Sequence, residues 1–311
     1  MSRLRKSLEE YLALRRSLGY RLRSFDRPLH DFVSFLEQKD VSHITTALTL
    51  QWAKQPEDAQ PSYWAWRLSM VRGFAEYYRA SDPQTEVPPQ GLLPYCYRRK
   101  NPYIYSDSEI KQLLKGAQKL KSATGLRPVT VAALFGLLAV TGMRVSEAIS
   151  LDRDDVNLVE GELTIRKTKS RKSRLIPIHR STQQILHQYA HKRDRLCPRP
   201  QSSHFFISDS GTDVSQWAIR AAFIRVSRQI GLRGPTDSHG PRLHDLRHRF
   251  AVRTLLNWYQ TGIDVEANLP TLAAYLGHTH VADTYWYLTG TPQLLKVVAQ
   301  RLYLPEGGSL L

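Results

Sequence analysis

The sequence contains little cysteine and no long apolar run. Cys96 and Cys197 are its only cysteines, and they lie far apart and outside any CxxC or Cys/His pair. Reduced thiols are therefore expected, rather than a disulfide framework or a zinc ribbon. The longest apolar stretch, residues 129–140, is interrupted by Thr130 and Gly136 and is too short to cross a bilayer. Because the N-terminus is charged from its third residue, we expect a soluble cytoplasmic protein with no membrane partner.

Acidic residues are the second scarcity. The chain has 44 Lys and Arg against 28 Asp and Glu, which gives a formal charge of +16 and a pI of about 9.9. This surplus predicts a polyanionic partner, first of all nucleic acid. The sequence has no Walker box and no carboxylate cluster that could hold magnesium, so neither a nucleotide nor a metal cofactor is expected.

The first hundred residues are predicted to form a helical domain. The length of the chain favours two domains, and apolar residues recur at the helical period from residue 4 to residue 78, which predicts three or four short helices. Arg and aromatic residues interleave over 63–78, where they fit either a DNA-facing surface or a core stripe. The polar, proline-rich stretch 81–94 predicts a linker that extends to about residue 104. The two domains are thus placed at 1–100 and 105–311.

The second domain opens with a helix-start signal. Ser106 followed by Glu109 has the spacing of a capping box, so a helix is predicted to begin there. The apolar stretch 129–140 predicts a buried helix that ends at Gly142, after which a second helix begins at Arg144. Arg144 is therefore expected at the corner between two helices.

A short β-hairpin is predicted next. Residues 163–165 and 174–178 are apolar or β-branched runs that flank a basic stretch. The remainder has helical patterns, apart from a loop at 231–240. The predicted fold is mainly α with a small β-hairpin or sheet.

Four separated segments carry the polar residues that suggest a function. They are Thr141-Gly-Met-Arg-Val-Ser-Glu147, the basic hairpin 166–178, Leu243-His-Asp-Leu-Arg-His248, and Leu276-Gly-His278 with Tyr287 nine residues later. Their order and spacing closely resemble those of the tyrosine recombinase and integrase family, which includes the Xer recombinases, Cre and phage lambda integrase. The resemblance covers about residues 105–300, and the N-terminal half resembles the family only in its helical character.

The resemblance implies an architecture and a set of partners. Residues 1–100 are expected to form a SAM-like helical core-binding domain, and residues 105–311 an α+β catalytic domain with a C-terminal tail at 289–311. Together they are expected to close on DNA as a C-shaped clamp. The expected partners are double-stranded DNA with specific recombination sites, further copies of the chain in a tetramer on paired sites, and accessory recombinases or directionality factors. Such an enzyme is expected in the cytoplasm, associated with the nucleoid.

The chemistry of such an enzyme requires fixed cations. A phosphodiester attacked by a phenol passes through a phosphorane with extra negative charge on its non-bridging oxygens. A guanidinium can donate two hydrogen bonds to a phosphate and keeps its proton, so Arg144 and Arg247 are the expected phosphate ligands. Glu147, three residues after Arg144, is expected to orient its helix or the arginine network.

The resemblance assigns the nucleophile and two histidines. Tyr287 matches the family nucleophile, with Tyr285 as the alternative two residues earlier. His244 matches the histidine that assists proton transfer from the phenol, and His278 matches the one that donates a hydrogen bond to the phosphate. His244 and His248 also form an HxxxH pair, and the alternative interpretation of this pair is a metal site.

The basic hairpin is predicted to supply the proton for the leaving 5′ oxygen. Aligning residues 174–178 with the corresponding family strand puts Lys169 at the general-acid position, although Thr168 and Ser170 replace the usual glycines. Lys167 and Lys172 remain alternatives. Phosphate contacts are predicted for the other basic residues of the stretch: Arg166, Lys167, Arg171, Lys172 and Arg174.

Two further readings concern the class of recombinase. Arg247 and His278 are farther apart than in the Xer proteins, and residues 257–270 are predicted to form the extra loop. The sequence around His278 and Tyr287 resembles recombinases of transposons and integrative elements, which favours a mobile-element enzyme. The rival functions are a type IB topoisomerase and a DNA-binding regulator without catalysis.

The charge surplus leads to a first prediction, that the affinity for duplex DNA falls steeply with salt. The logarithm of the association constant should fall linearly with the logarithm of salt concentration, with a slope of about 0.9 per phosphate neutralised, because each contact releases a counterion. Fluorescence anisotropy across a salt series measures the slope. An affinity that does not change with salt contradicts the interpretation of the charge.

Overall fold

The computed structural model describes residues 2–20, 22, 24–94, 101–166 and 173–289. It divides into two compact units, Met1–Lys100 and Asn101–Leu311. The mainly α fold with a small sheet, expected from the sequence, is confirmed. In the part of the chain that the structure describes, no helix is both long and apolar enough to pass through a membrane.

Four helices form the first unit within its described residues. A single apolar cluster fills their centre, with Phe32, Trp52 and Phe74 almost fully buried. The apolar periodicity predicted three or four helices, and four are present. They are α1 (Arg3–Ser17), α2 (Asp26–Gln38), α3 (Thr46–Lys54) and α4 (Pro61–Tyr78).

The mixed Arg and aromatic stretch in α4 contributes to this core. The Arg67 guanidinium lies 3.7 Å from the centre of the Trp52 ring and donates a hydrogen bond to the Trp52 carbonyl oxygen at 2.9 Å. Arg72 donates to the carbonyl oxygens of Pro88 and Pro89, so the segment that follows α4 is held against the first unit. For Arg67, the core-stripe reading is the one that the structure supports.

The second unit is built around one buried helix. The helix α6 is apolar on nearly all sides, and it packs against α5, α8 and α10. A capping box of Ser106 and Glu109 starts α5, as the sequence predicts. The helices are α5 (Asp107–Ala117), α6 (Leu126–Thr141), α7 (Val145–Ile149), α8 (Arg180–Leu196), α9 (Gln216–Gln229), α10 (Asp245–Gln260), α11 (Val265–Leu276) and α12 (Ala282–Thr289).

Among the described residues of this unit, three antiparallel strands form a sheet in the order β1 (Val156–Asn157), β2 (Glu162–Ile165) and β3 (Arg174–Pro177). Leu163 pairs with Ile176, and both side chains are buried in the core. Ile165 pairs with Arg174, which places Arg174 at the start of β3, directly after the basic stretch. The antiparallel pairing of β2 with β3 confirms the predicted hairpin.

The loop predicted at residues 257–270 is wrong. Helix α10 continues to Gln260, and α11 begins at Val265 and includes Pro270. Val265, Leu269 and Leu272 are buried in a cluster that α10, α11 and α12 share. Burial of these side chains outweighs the helix-breaking tendency of Gly262 and Pro270, so the additional residues between Arg247 and His278 are mostly helical.

The end of α6 gives a second prediction. Gly142 ends the helix at φ 62°, and a Cβ there would lie 2.5 Å from a ring carbon of Phe250. Gly231 has a similar φ of 76° and no atom within 4 Å of such a Cβ. Gly231→Ala should therefore cost about 1 kcal/mol from backbone strain alone. Gly142→Ala should cost about 1 to 3 kcal/mol more, because it also overpacks the site.

Urea unfolding followed by circular dichroism measures the difference between these two variants. Equal losses of stability in Gly142→Ala and Gly231→Ala would show that Phe250 moves away freely and that the contact is unimportant.

Candidate active site

The first element of the site is the corner between α6 and α7. Arg144 is the N-cap residue of α7. The backbone nitrogen of Arg144 and its Nη1 donate hydrogen bonds to the Glu147 carboxylate at 2.9 Å and 2.8 Å. Arg144 also donates from Nη2 to the carbonyl oxygen of Gly277 at 2.9 Å. About a third of the Arg144 side chain (34%) stays exposed, so part of it is accessible to a ligand.

The second element is the first turn of α10, which carries His244 and Arg247. Arg247 is 3% exposed and donates to the carbonyl oxygens of Gly142 at 2.9 Å and Leu276 at 2.7 Å. These oxygens lie at the C-terminal ends of α6 and α11, where carbonyls lack helical partners and the helix dipole favours a cation. Two of the five guanidinium N–H groups are used in this way, which leaves donors for a phosphate.

The third element is the end of α11. Gly277 adopts a left-handed conformation (φ 70°) and closes the helix, so that His278 follows directly beyond it. Nδ1 of His278 lies 2.8 Å from the hydroxyl oxygen of Thr284, which is fully buried on α12. This contact holds the imidazole against α12.

The fourth element is Tyr287 on α12. Its ring is 4% exposed and lies 6.0 Å from the His278 ring and 5.4 Å from the His248 ring, measured between centroids. The phenol also lies close enough to Arg247 to interact electrostatically with its guanidinium. Tyr285, the alternative nucleophile, is 50% exposed. Tyr287 is therefore the tyrosine that lies with the arginines and histidines.

The surroundings disfavour protonated histidine. Burial, followed by the charges of Arg247 and Arg144, lowers the pKa of His278 to about 4. Desolvation and then the charge of Arg247 also lower the pKa of His244, although its ring keeps access to solvent. Burial lowers the pKa of Arg247, an effect that the neighbouring Tyr287 opposes. Both histidines are consequently neutral at pH 7.

The residues of the basic hairpin that were predicted to contact phosphate differ from one another in their surroundings. Arg166 is 60% exposed and pairs with Asp155. Arg174 is 11% exposed and donates to both carboxylate oxygens of Glu147, so its guanidinium is used inside the protein. Four of the predicted residues lie outside the described ones: Lys167, Lys169, Arg171 and Lys172.

The two histidines of the HxxxH pair, His244 and His248, pack against each other, and His248 packs against aromatic rings of α12. The His244 and His248 rings are 5.0 Å apart at 89°, and His248 also contacts the Trp286 ring at 5.0 Å. Within the described residues, no group of three or more His, Cys, Asp or Glu side chains is placed to hold a metal ion.

Sequence reasoning missed three contacts within the site. Thr284 contacts His278, Gly277 supplies a carbonyl to Arg144, and Arg174 binds Glu147. The signal for Thr284 was available, because it lies three residues before Tyr287 and so on the same side of α12. No local signal marks the other two contacts.

The model of the phage integrase family matches residues 105–293, which contain every element of this site. The chain belongs to the phage integrase family. It is a tyrosine-type site-specific recombinase, and the resemblance found in the sequence is confirmed.

Individual relatives agree with this membership over nearly the whole chain. The "Putative integrase/recombinase y4rB" of Sinorhizobium fredii is 49% identical over 306 residues, which cover 97% of this chain and 98% of that protein. The XerH recombinase bound to difH DNA after cleavage has a similar fold, with a TM-score of 0.65 at 19% identity over 90% of this chain and 79% of that one. A lambda integrase tetramer bound to a Holliday junction gives a TM-score of 0.60 at 16% identity, over 89% and 77% of the two chains.

The lowered pKa of His278 leads to a third prediction, that acid destabilises the folded chain through this residue. The unfolded imidazole binds its proton near pH 6.5, whereas the folded one does so near pH 4. Between these values the unfolded state binds more protons than the folded state. The contribution of His278 to the free energy of unfolding is therefore complete above pH 6.5 and is lost as the pH falls towards 4.

The free energy of unfolding, measured from pH 7 to pH 4, should therefore fall more in the wild type than in His278→Asn. An NMR titration of His278 provides a direct check. A midpoint near pH 6.5 in the folded protein contradicts the prediction.

Proposed function

We propose that this chain is the recombinase of a mobile element and that it cleaves and rejoins DNA through a 3′-phosphotyrosine intermediate on Tyr287. The observation that carries the proposal is the position of the Tyr287 phenol, which is buried between His278 and Arg247. A nucleophile, a buried cation and neutral imidazoles thus meet in one place. The name of the Sinorhizobium fredii relative supports the link to integration.

In the proposed cleavage step, the Tyr287 oxygen forms a bond to phosphorus while the bond from phosphorus to the 5′ oxygen breaks. His244, neutral at pH 7, assists the departure of the phenol proton. Arg144 and Arg247 stabilise the charge that develops on the non-bridging oxygens, and His278 donates a hydrogen bond to them. Lys169 supplies a proton to the 5′ oxygen.

Rejoining is the reverse of this step with a different 5′ hydroxyl. Because the phosphotyrosine bond conserves the energy of the broken phosphodiester, the proposed reaction needs neither ATP nor a metal ion. Tyr287 is only 4% exposed, so packing around α12 must rearrange before a phosphate reaches its oxygen.

The proposal extends to domains and assembly. Residues 1–100 serve as the core DNA-binding domain and residues 105–311 as the catalytic domain. The active assembly is a tetramer on two paired DNA sites, a state that the lambda integrase structure supports by analogy. The C-terminal tail expected at 289–311 lies outside the residues whose side chains the structure describes.

The nucleophile gives a fourth prediction. Tyr287→Phe should abolish the covalent adduct with a nicked suicide substrate and leave DNA binding nearly intact, since it removes a single oxygen. Tyr285→Phe is the matched control, because it makes the same change two residues away on an exposed side chain, and it should still form the adduct. Denaturing gel electrophoresis of the protein–DNA adduct provides the measurement.

The opposite pattern, with an adduct from Tyr287→Phe and none from Tyr285→Phe, assigns the nucleophile to Tyr285. Failure of the wild type to form any adduct favours a DNA-binding regulator. An adduct without strand exchange between two marked sites favours a type IB topoisomerase.

A further inference from the structure

We propose that Arg174 is a positioning residue of this reaction, which holds Glu147 and through it Arg144, instead of the phosphate ligand that the basic hairpin suggests. The inference rests on the function proposed above, because it concerns how the phosphate-binding arginine is held. It assigns a role in the rate of cleavage to a residue that touches neither DNA nor the reacting atoms.

The first observation is a two-pronged ion pair. Nη2 of Arg174 donates to Oε2 of Glu147 at 2.8 Å, and Nη1 donates to Oε1 at 3.2 Å. The side chains are 11% and 9% exposed, so both charges are largely withdrawn from water. A pair of this geometry is strong and directional, and an uncompensated charge at this depth is costly.

The second observation is that Nε, the inner nitrogen of the Arg174 guanidinium, is also used. Its Nε donates to the carbonyl oxygen of Tyr275 at 2.8 Å, near the end of α11. The guanidinium lies so close to Gly277 that a Cβ there would be 2.6 Å from Nη1. Arg174 thus ties the start of β3 to the helix end that precedes His278.

The third observation is that Glu147 serves two arginines at once. Oε1 accepts from Nη1 of both Arg144 and Arg174, and Oε2 accepts from Nη2 of Arg174 and from the backbone nitrogen of Arg144. Burial raises the pKa of Glu147, but the hydrogen bonds from the two arginines outweigh it and lower the pKa overall. The carboxylate therefore stays ionised between them.

These contacts determine what the loss of Arg174 does. With Arg174 absent, the Glu147 carboxylate has Arg144 as its neighbouring cation, and it can rotate to take up donors that Arg144 otherwise keeps for the phosphate. Misplacement of a donor matters most where charge is greatest, which is in the transition state. The rate of cleavage should fall while the affinity for DNA is kept.

A phosphate ligand behaves differently, and the two roles can be separated by measurement. The test uses the full chain with Arg174→Ala and Arg174→Lys. One arm is the slope of DNA affinity against salt, and the other is the single-turnover rate of adduct formation at saturating nicked substrate. Arg166→Ala is the comparison, because Arg166 comes from the same hairpin, is predicted to bind phosphate and is largely exposed.

The positioning role predicts a salt slope equal to that of the wild type and a rate lowered about 10- to 100-fold in both variants. Arg174→Lys keeps the charge but has no planar fork, so it should recover little of the rate. Arg166→Ala, which removes a predicted phosphate contact, should instead reduce the slope by about one. The loss in Arg174→Lys should not add to that of Glu147→Gln, because both break the same contact.

Three results overturn the proposal. The first is a slope reduced by about one with a normal rate at saturation, which identifies a phosphate ligand. The second is a full rate of adduct formation in Arg174→Lys. The third is a variant with both Arg174→Lys and Glu147→Gln in which the two losses of rate add. Thermal unfolding of Arg174→Lys shows whether the variant is folded, so that a lower rate is not a loss of structure. A wild type that forms no adduct removes the proposed function itself, whereas a wild-type adduct with unaltered Arg174 variants removes this inference alone.

Discussion

The site depends on carbonyl oxygens at helix ends that hold arginine side chains. Arg247 is almost fully buried, and its charge is compensated mainly by the C-terminal carbonyls of α6 and α11. Arg144 uses the carbonyl of Gly277 in the same way. Oriented backbone dipoles stabilise a cation without neutralising it. The guanidiniums can thus be fixed in place and still keep net charge for an anionic ligand.

This arrangement explains why glycines lie at the ends of the two helices. Gly142 and Gly277 both have positive φ, and both lie against side chains that leave no room for a Cβ. Helix α6 is buried and apolar on nearly all sides, so its end is held rigidly by the core. Precision in the position of Arg247 therefore derives from the packing of α6 as much as from the residues around the guanidinium.

Predictability from the sequence follows the range of the interactions. The capping box of Ser106 and the end of α6 at Gly142 depend on residues a few positions apart, and both were predicted. The contact from Arg247 to Gly142 spans 105 residues, and that from Arg144 to Gly277 spans 133. The motif order indicated that these residues meet, but not which atoms bond.

The wrong loop prediction and the unforeseen burial of Arg174 have a related origin. Pro270 and Gly262 are local signals for a loop, whereas burial of Leu269 in the cluster that α10, α11 and α12 share keeps Pro270 inside α11. Arg174 lies in a stretch where six of nine residues are basic, and composition alone does not distinguish it from the other five. Its partner Glu147 is 27 residues earlier, and the packing of β3 against α11 decides its burial.

The balance of charge connects binding to chemistry. Burial and then the charges of Arg247, Arg144 and Arg174 lower the pKa of His278, an effect that Asp283 opposes only in part. A phosphate placed among these arginines adds the missing negative charge, which raises the pKa of any imidazole beside it. In the proposed reaction, His278 therefore becomes a better hydrogen-bond donor when DNA is bound, and the arginines that attract the phosphate keep the imidazole neutral until it arrives.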